Sequence, residues 1–343
     1  MNVDMANPMA DLYRRLQAVG LTERYVRKSI LPDWWDDEVA TNPAGYAEGL
    51  TYLSRHLGLD LATLQDPTRP VSFRDFGACK FKKSKNTLES DLALARALGT
   101  RLAQLAVLAT TTQYQPLPRS AQIIRGEILG QGGAWVGLGN LMDYCWSLGI
   151  PVIHLSGFSK AKRPDGMTAI VNGRPVVVLC KKHRHPAWLL FILAHELGHF
   201  ALGHVGNNGV LIDEHMKRNL PDDEENAANA FAVNLLTGNE ETRFTASGPW
   251  PNAQELAREA IRIGHAKRID PGHLVLNYAH SMGKSFFPVA NAALSRIDPE
   301  NDALNLARRK MAEHLDWSSL PEESSEFLMR MSHVEKPSDS SPR

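Results

Sequence analysis

The sequence predicts an α+β fold, mostly helical, in which a small antiparallel or mixed sheet packs on one buried helix. Three observations predict it. Apolar residues recur at helical spacing over much of the chain, first at Leu12, Leu16 and Val19, then at Tyr46, Leu50, Leu53 and Leu57. Ala169-Ile170-Val171 and Val176-Val177-Val178-Leu179 flank Asn172-Gly173, the strongest short hairpin signal. A strongly apolar run containing Trp188, Leu189, Phe191, Ile192 and Leu193 leads into His195-Glu196-Leu197-Gly198-His199.

In chain order, residues 1–70 read as a helical domain whose last long helix stops at Gly58. Residues 71–118 read as a basic linker, with Lys80, Lys82, Lys83 and Lys85 around Phe81, followed by a long Ala- and Leu-rich helix over 88–109. Pro116-Leu117-Pro118 marks a boundary. The region 119–285 carries helices over 120–129 and 138–148, a strand at 151–155, the hairpin and the HExxH segment. Pro175 cannot donate a ladder hydrogen bond, which favours an edge position where an extended peptide could add as a further strand. Helical pattern resumes over 253–266, 272–282 and 302–315, so 286–334 reads as a helical C-terminal extension. The tail, 335–343, with two prolines and three serines, is expected to be disordered.

The chemistry concentrates in His195-Glu196-Leu197-Gly198-His199. On a helix, residues i and i+4 share a face, so the two imidazoles can bind one zinc ion with Glu196 beside it. A buried helix carrying two histidines and a glutamate needs a reason, because unpaired buried polar groups are costly. Bound there, zinc would acidify water and polarise a carbonyl, and Glu196 would serve as general base: the working part of a metallopeptidase.

A catalytic zinc usually has three protein ligands. The extended pattern HExxHxxGxxH fails, because Leu202 and Val205 stand where it needs Gly and His. His204, nine residues past His195, falls on the opposite helix face at roughly 100° per residue, and reads as a helix-end histidine or a support for a ligand. The better source is the helix opening at Pro221-Asp222-Asp223-Glu224-Glu225. Glu225 and Asn229, spaced i, i+4, offer a ligand and an amide to orient a histidine ring. Glu224 also fits an acidic helix start, but the small residues Ala227 and Ala228 favour Glu225, since they let two helices approach closely.

The block HELGHFALGH followed by EENAANAFAVNLL resembles the ImmA/IrrE-type metallopeptidases. The likeness is close over 195–204 and 225–236 and looser back to about Arg119. It implies a gluzincin-like domain with His195, His199 and Glu225 as Zn2+ ligands, Glu196 as general base and Asn229 in the place of the family's Asn or Asp. Many members follow the Leu-Leu pair with Met-Pro, where this chain has Thr237-Gly238. The resemblance also implies a substrate class: a partner transcriptional repressor or other small regulatory protein, cut in a stress, mobile-element, toxin–antitoxin or defence setting.

Composition narrows the alternatives. The chain has 343 residues and zero formal net charge, so nothing global argues for nucleic acid or a membrane surface. Three dispersed cysteines, the lack of an apolar leader and the lack of a membrane span lead us to expect a cytoplasmic protein. The stretch PAGYAEGLTYLSRHLGLDLATL resembles the last helices of an Xre-type helix-turn-helix domain, but acids in the preceding segment, ERYVRKSILPDWWDDEVA, would repel phosphate. A protein-contact domain is therefore favoured over a DNA-binding one. Two other functions share the residues: a regulatory, antitoxin-like binding module with a structural zinc, and a zinc hydrolase of small amides. Glu196 argues against the first, since a structural site needs no general base. Candidates to stabilise the oxyanion are His204, His215, Tyr278 and His280, and no feature of the sequence separates them.

Overall fold

The computed structural model describes residues 8–74, 79–82, 89–157, 164–205, 210–213, 223–242, 244, 252–300 and 302–335. The fold is α+β, mostly helical around one mixed sheet.

The N-terminal unit contains α1 (Pro8–Gln17), the single turn α2 (Glu23–Tyr25), a π-helical turn over Val26–Ile30, a 3-10 turn over Asp37–Thr41, α3 (Pro43–Leu57) and α4 (Leu61–Gln65). Asn42 caps α3 by accepting from the Ala44 amide, Pro43 occupies its first turn, and Gly58 ends it in the left-handed region at φ 64°. The predicted stripes, Leu12 and Leu16 on α1 and Leu50, Leu53 and Leu57 on α3, are buried. Residues 23–40, the turn and recognition-helix region of the Xre-like reading, form only short turns. One acid and one tryptophan of this segment, Asp37 and Trp35, serve an internal contact instead. Buried Asp37 accepts from Tyr13 Oη at 2.8 Å and Trp35 Nε1 at 3.1 Å, and pairs with Arg27.

Of the segment expected to be a basic linker followed by a long helix, the helix is present, and both parts join the packed body. Its strand β1 (Cys79–Lys82) joins the sheet, and α5 (Glu89–Leu108) buries Leu94, Leu98, Leu102 and Leu105 in the main cluster. Lys83 and Lys85 lie outside the described residues. After α6 (Ala121–Gly130) and α7 (Leu138–Ser147) come β2 (Val152–His154), β3 (Gly166–Val171) and β4 (Arg174–Leu179). Next are α8 (Pro186–Ala201), β5 (Val210–Asp213) and α9 (Asp223–Thr237). The chain continues through α10 (Ala253–Lys267), α11 (Pro271–Met282), α12 (Phe287–Ile297), α13 (Ala303–His314) and α14 (Glu322–Ser332).

The strand order is β1-β5-β3-β4-β2. The β3–β4 hairpin turns at Asn172 and Gly173, with φ of 51° and 76°, the pair of left-handed residues that a type I′ turn requires. β4 is internal, which corrects the edge position inferred from Pro175. The Val177 amide donates to Pro151 O, and β2 pairs only with Val177–Leu179. Two residues earlier, the Pro175 nitrogen faces the same side beyond the end of β2, so its missing N–H disrupts no ladder. Among the described strands, β1 and β2 form the edges.

Both faces of the sheet are covered, which explains the near-continuous burial along β4. Alternation along β3 separates the two faces: Met167 packs against Gly99 of α5, while Gly166 and Thr168 meet Glu196 of α8. The predicted domain limits do not coincide with breaks in packing. One cluster runs from Met9 to Val334 and includes α5, the sheet, α8 and the Ala303–Val334 stretch. A second joins Leu256, Ala257 and Ala260 of α10 to Val275 and Ala279 of α11 and to Phe286, Ala290 and Leu294, so a boundary at 285 divides a packed unit.

Candidate metal centre and peptidase site

α8 begins at Pro186 and buries residues on all sides, as a helix held between a sheet and other helices must. Its 3.6-residue period puts His195 and His199 on one face, both with no exposed surface. α9 packs against that face at close range. A β-carbon on Gly198 would stand 3.1 Å from the Ala228 Cα and carbonyl oxygen and 3.2 Å from Phe231 Cβ. This closeness of backbones carries Glu225, in the first turn of α9, across to the two histidines.

The three residues converge. His195 Nε2 and His199 Nε2 lie 2.9 Å apart. Glu225 Oε2 is 3.5 Å from the first and Oε1 is 3.3 Å from the second. One donor atom from each residue falls within 4.8 Å of the others. The outer nitrogens are tied back: His195 Nδ1 lies 3.1 Å from Asn229 Oδ1, and His199 Nδ1 lies 2.9 Å from His204 Nδ1. Asn229 Oδ1 can only accept, so His195 carries its proton on Nδ1 and points a lone pair inward from Nε2. Two inward-facing imidazole nitrogens with a carboxylate are a donor set that fits a divalent cation of the zinc type. Glu225, with 21 % of its side chain exposed, is the one member of the three open to solvent.

The residues proposed from the sequence can now be placed, His215 excepted. His195, His199 and Glu225 meet, and Asn229 supports His195. Glu225, not Glu224, is the acid in the cluster. His204 supports His199, and its backbone amide donates to the His199 carbonyl at 2.9 Å. Glu196 projects away from α9 toward the sheet, 1 % exposed, and its Oε2 accepts from Thr168 Oγ1. Tyr278 instead packs edge-on against Phe286, and His280 against Phe287. His215 lies outside the described residues.

Sequence reading missed three contributors. Thr168 and Gly166 hold Glu196, and only the register of β3 against α8 brings them there. The third is Arg125 on α6, which is buried at the end of α9. Its Nη1 donates to Leu235 O and Leu236 O at 3.2 and 2.9 Å, and its Nη2 to Arg268 O at 2.6 Å. A cation there satisfies the last carbonyls of α9 and suits the helix dipole. Thr237-Gly238 completes the exit, with Gly238 at φ 87° and its amide donating to Asn234 O. The chain therefore ends α9 without the Met-Pro of many related sequences.

Residues 145–260 match the family model described as an IrrE N-terminal-like domain of the M78 peptidases. Over this part the chain is similar to the peptidase domains of the ImmA/IrrE type. The match starts within α7 and ends within α10, so it takes in the β2–β3–β4 strands, the HExxH helix and α9. Neither a curated protein nor a solved structure matches the chain. No helix of the described residues is long and apolar enough to cross a membrane.

Proposed function

We propose that the chain is a zinc-dependent endopeptidase that makes a specific cut in a partner regulatory protein. One observation carries the proposal: two histidine nitrogens of α8 and a glutamate carboxylate of α9 converge, and the α8 glutamate between those histidines is buried and hydrogen-bonded to the neighbouring strand. His195, His199 and Glu225 would hold the ion. When bound, zinc supplies a Lewis acid that polarises the scissile carbonyl and lowers the pKa of water.

The remaining work falls to the chain's own side chains. The Glu196 carboxylate takes a proton from the attacking water as its oxygen bonds to the carbonyl carbon. It returns that proton to the amide nitrogen as the C–N bond breaks. Thr168 fixes the orientation of this carboxylate, and Gly166 leaves room for it. Asn229 and His204 hold the ligand rings, so that neither has to reorganise when substrate arrives. A general base at this place distinguishes a hydrolytic centre from a structural zinc, which usually closes with four protein ligands.

The substrate class follows from the resemblance: a helix-turn-helix repressor or another small regulatory protein. The test is co-expression of the chain with the small regulatory protein encoded beside it, read by intact mass for wild type and Glu196→Gln. A single cut made only by the wild type supports the proposal. A cut that persists at full extent in Glu196→Gln overturns the assigned role.

A further inference from the structure

On the far side of α5 from the sheet, three arginines from separate segments line one pocket. Arg55 comes from α3, Arg74 from the strand-like bridge between Leu59 and Phe73, and Arg101 from α5. The cavity measures about 340 Å³, and Thr51, Ser54 and Gln104 contribute polar groups to its wall. None of the metal-centre residues lines it.

The charges in this pocket are not balanced. Arg55 has one carboxylate partner, Glu323 of α14, at 3.4 Å and half-exposed. Among the described residues, Arg74 and Arg101 form no ion pair. Arg74 donates to Ser54 O, Ser54 Oγ and Leu59 O at 2.7, 2.5 and 3.1 Å, bonds that fix its guanidinium without neutralising it. Among the described residues Arg101 reaches only Ser324 Oγ, at 3.4 Å, and its buried Nε has no hydrogen-bond partner. Burial, then the charges of Arg55 and Arg74, lowers the Arg101 pKa. The neighbouring His56 is kept neutral by burial and by Arg101, Arg55 and Arg330, so it adds no charge.

Like charges gathered at a concave, partly buried place cost energy unless an anion offsets them. Guanidinium forks match phosphate oxygens bidentately, and hydroxyl and amide groups beside them suit a sugar. The volume stands at the lower end of the range for small-molecule sites, about 300–1,000 Å³, too small for a polymer to thread. Among the described residues no aromatic ring lines the pocket, so recognition there would come through the phosphate and not through base stacking.

We propose that this pocket binds a small organic phosphate, a sugar phosphate or nucleotide held by Arg55, Arg74 and Arg101. The test is isothermal titration calorimetry on the full, zinc-loaded chain with ribose 5-phosphate, ADP and inorganic pyrophosphate, with adenosine as the uncharged control. Binding of ribose 5-phosphate or ADP, weakened at least tenfold in both Arg101→Gln and Arg55→Gln with zinc content unchanged, supports the site. Arg55 is half-exposed, so its variant keeps the test sound if Arg101→Gln fails to fold. Which of the two probes binds separates the sugar-phosphate and nucleotide sources. The proposal is overturned if neither binds, if pyrophosphate alone binds, or if affinity is the same in the Arg55→Gln variant. Arginine-dependent binding of duplex DNA with no response to the small phosphates would also overturn it.

Discussion

Gly166 stands where a β-carbon would lie 2.3 Å from Oε1 of Glu196, so any other residue there would force the carboxylate to shift. Two residues on, Thr168 donates to Oε2 of the same carboxylate. Together they define a slot in β3 for Glu196. Gly166→Ala should push the carboxylate aside and Thr168→Val should leave it unheld. Each is expected to lower kcat about 10–100-fold, with zinc content unchanged. Thr168→Ser should restore most of the rate. Steady-state kinetics on a cleaved peptide with metal analysis checks this; a Thr168→Val enzyme of normal kcat would remove threonine from the account.

Asn229 and His204 each hold the outer nitrogen of one ligand. Asn229→Ala and His204→Ala should keep the fold but weaken metal binding about 10–100-fold. Competition with a chromophoric chelator measures it. Unchanged affinity in both would mean the rings are held by packing alone.

Arg125 is buried, with its guanidinium spread over three carbonyl oxygens at the end of α9 and beyond. Arg125→Met leaves those carbonyls without donors and should cost about 3 kcal/mol of stability. Since α9 carries Glu225, zinc affinity should fall with it. Urea unfolding gives the first quantity and chelator competition the second.

His56, His154 and His273 are buried and neutral in the fold. Burial is the main cause in each, placing His56 at about 3 and His154 and His273 at about 4, against 6.5 in an unfolded chain. Below pH 6.5 the unfolded chain therefore binds protons that the folded chain refuses, and stability falls as pH drops toward 4. Each histidine adds a slope of up to about 1.4 kcal/mol per pH unit. Urea midpoints at pH 7 and pH 5, taken with chelator so that metal loss does not contribute, should show the decline. His273→Phe should flatten it, and an equal slope in that variant would exclude His273 as a source.

Much of the site could be read from spacing, because helical periodicity is local. His195 and His199 at i, i+4, and Glu225 and Asn229 at the same interval, specify faces before any tertiary structure is known. Asn172-Gly173 specified the hairpin for the same reason. What escaped depends on contacts between distant segments. β1 and β5 are four-residue strands paired with each other, and they join the rest of the sheet through the ladder of β5 with β3. Pro175 suggested an edge because the sequence does not show that β2 pairs with β4 only from Val177 onward. The linker reading rested on the lysines near Phe81, whereas the helix expected over 88–109 forms, with Leu94, Leu98 and Leu102 on the apolar face that seats α5 in the core. Thr168, Gly166 and Arg125 are ordinary residues in isolation, and their roles arise from the elements they face.

The central claim is that His195, His199 and Glu225 hold one zinc ion while Glu196 does chemistry beside it. Zinc per chain, measured by mass spectrometry on purified wild type, Glu196→Gln and Glu225→Ala, tests it most directly. The account predicts one equivalent in the wild type and in Glu196→Gln, and loss of most of it in Glu225→Ala. A full equivalent retained by Glu225→Ala, or zinc lost from Glu196→Gln, would contradict it.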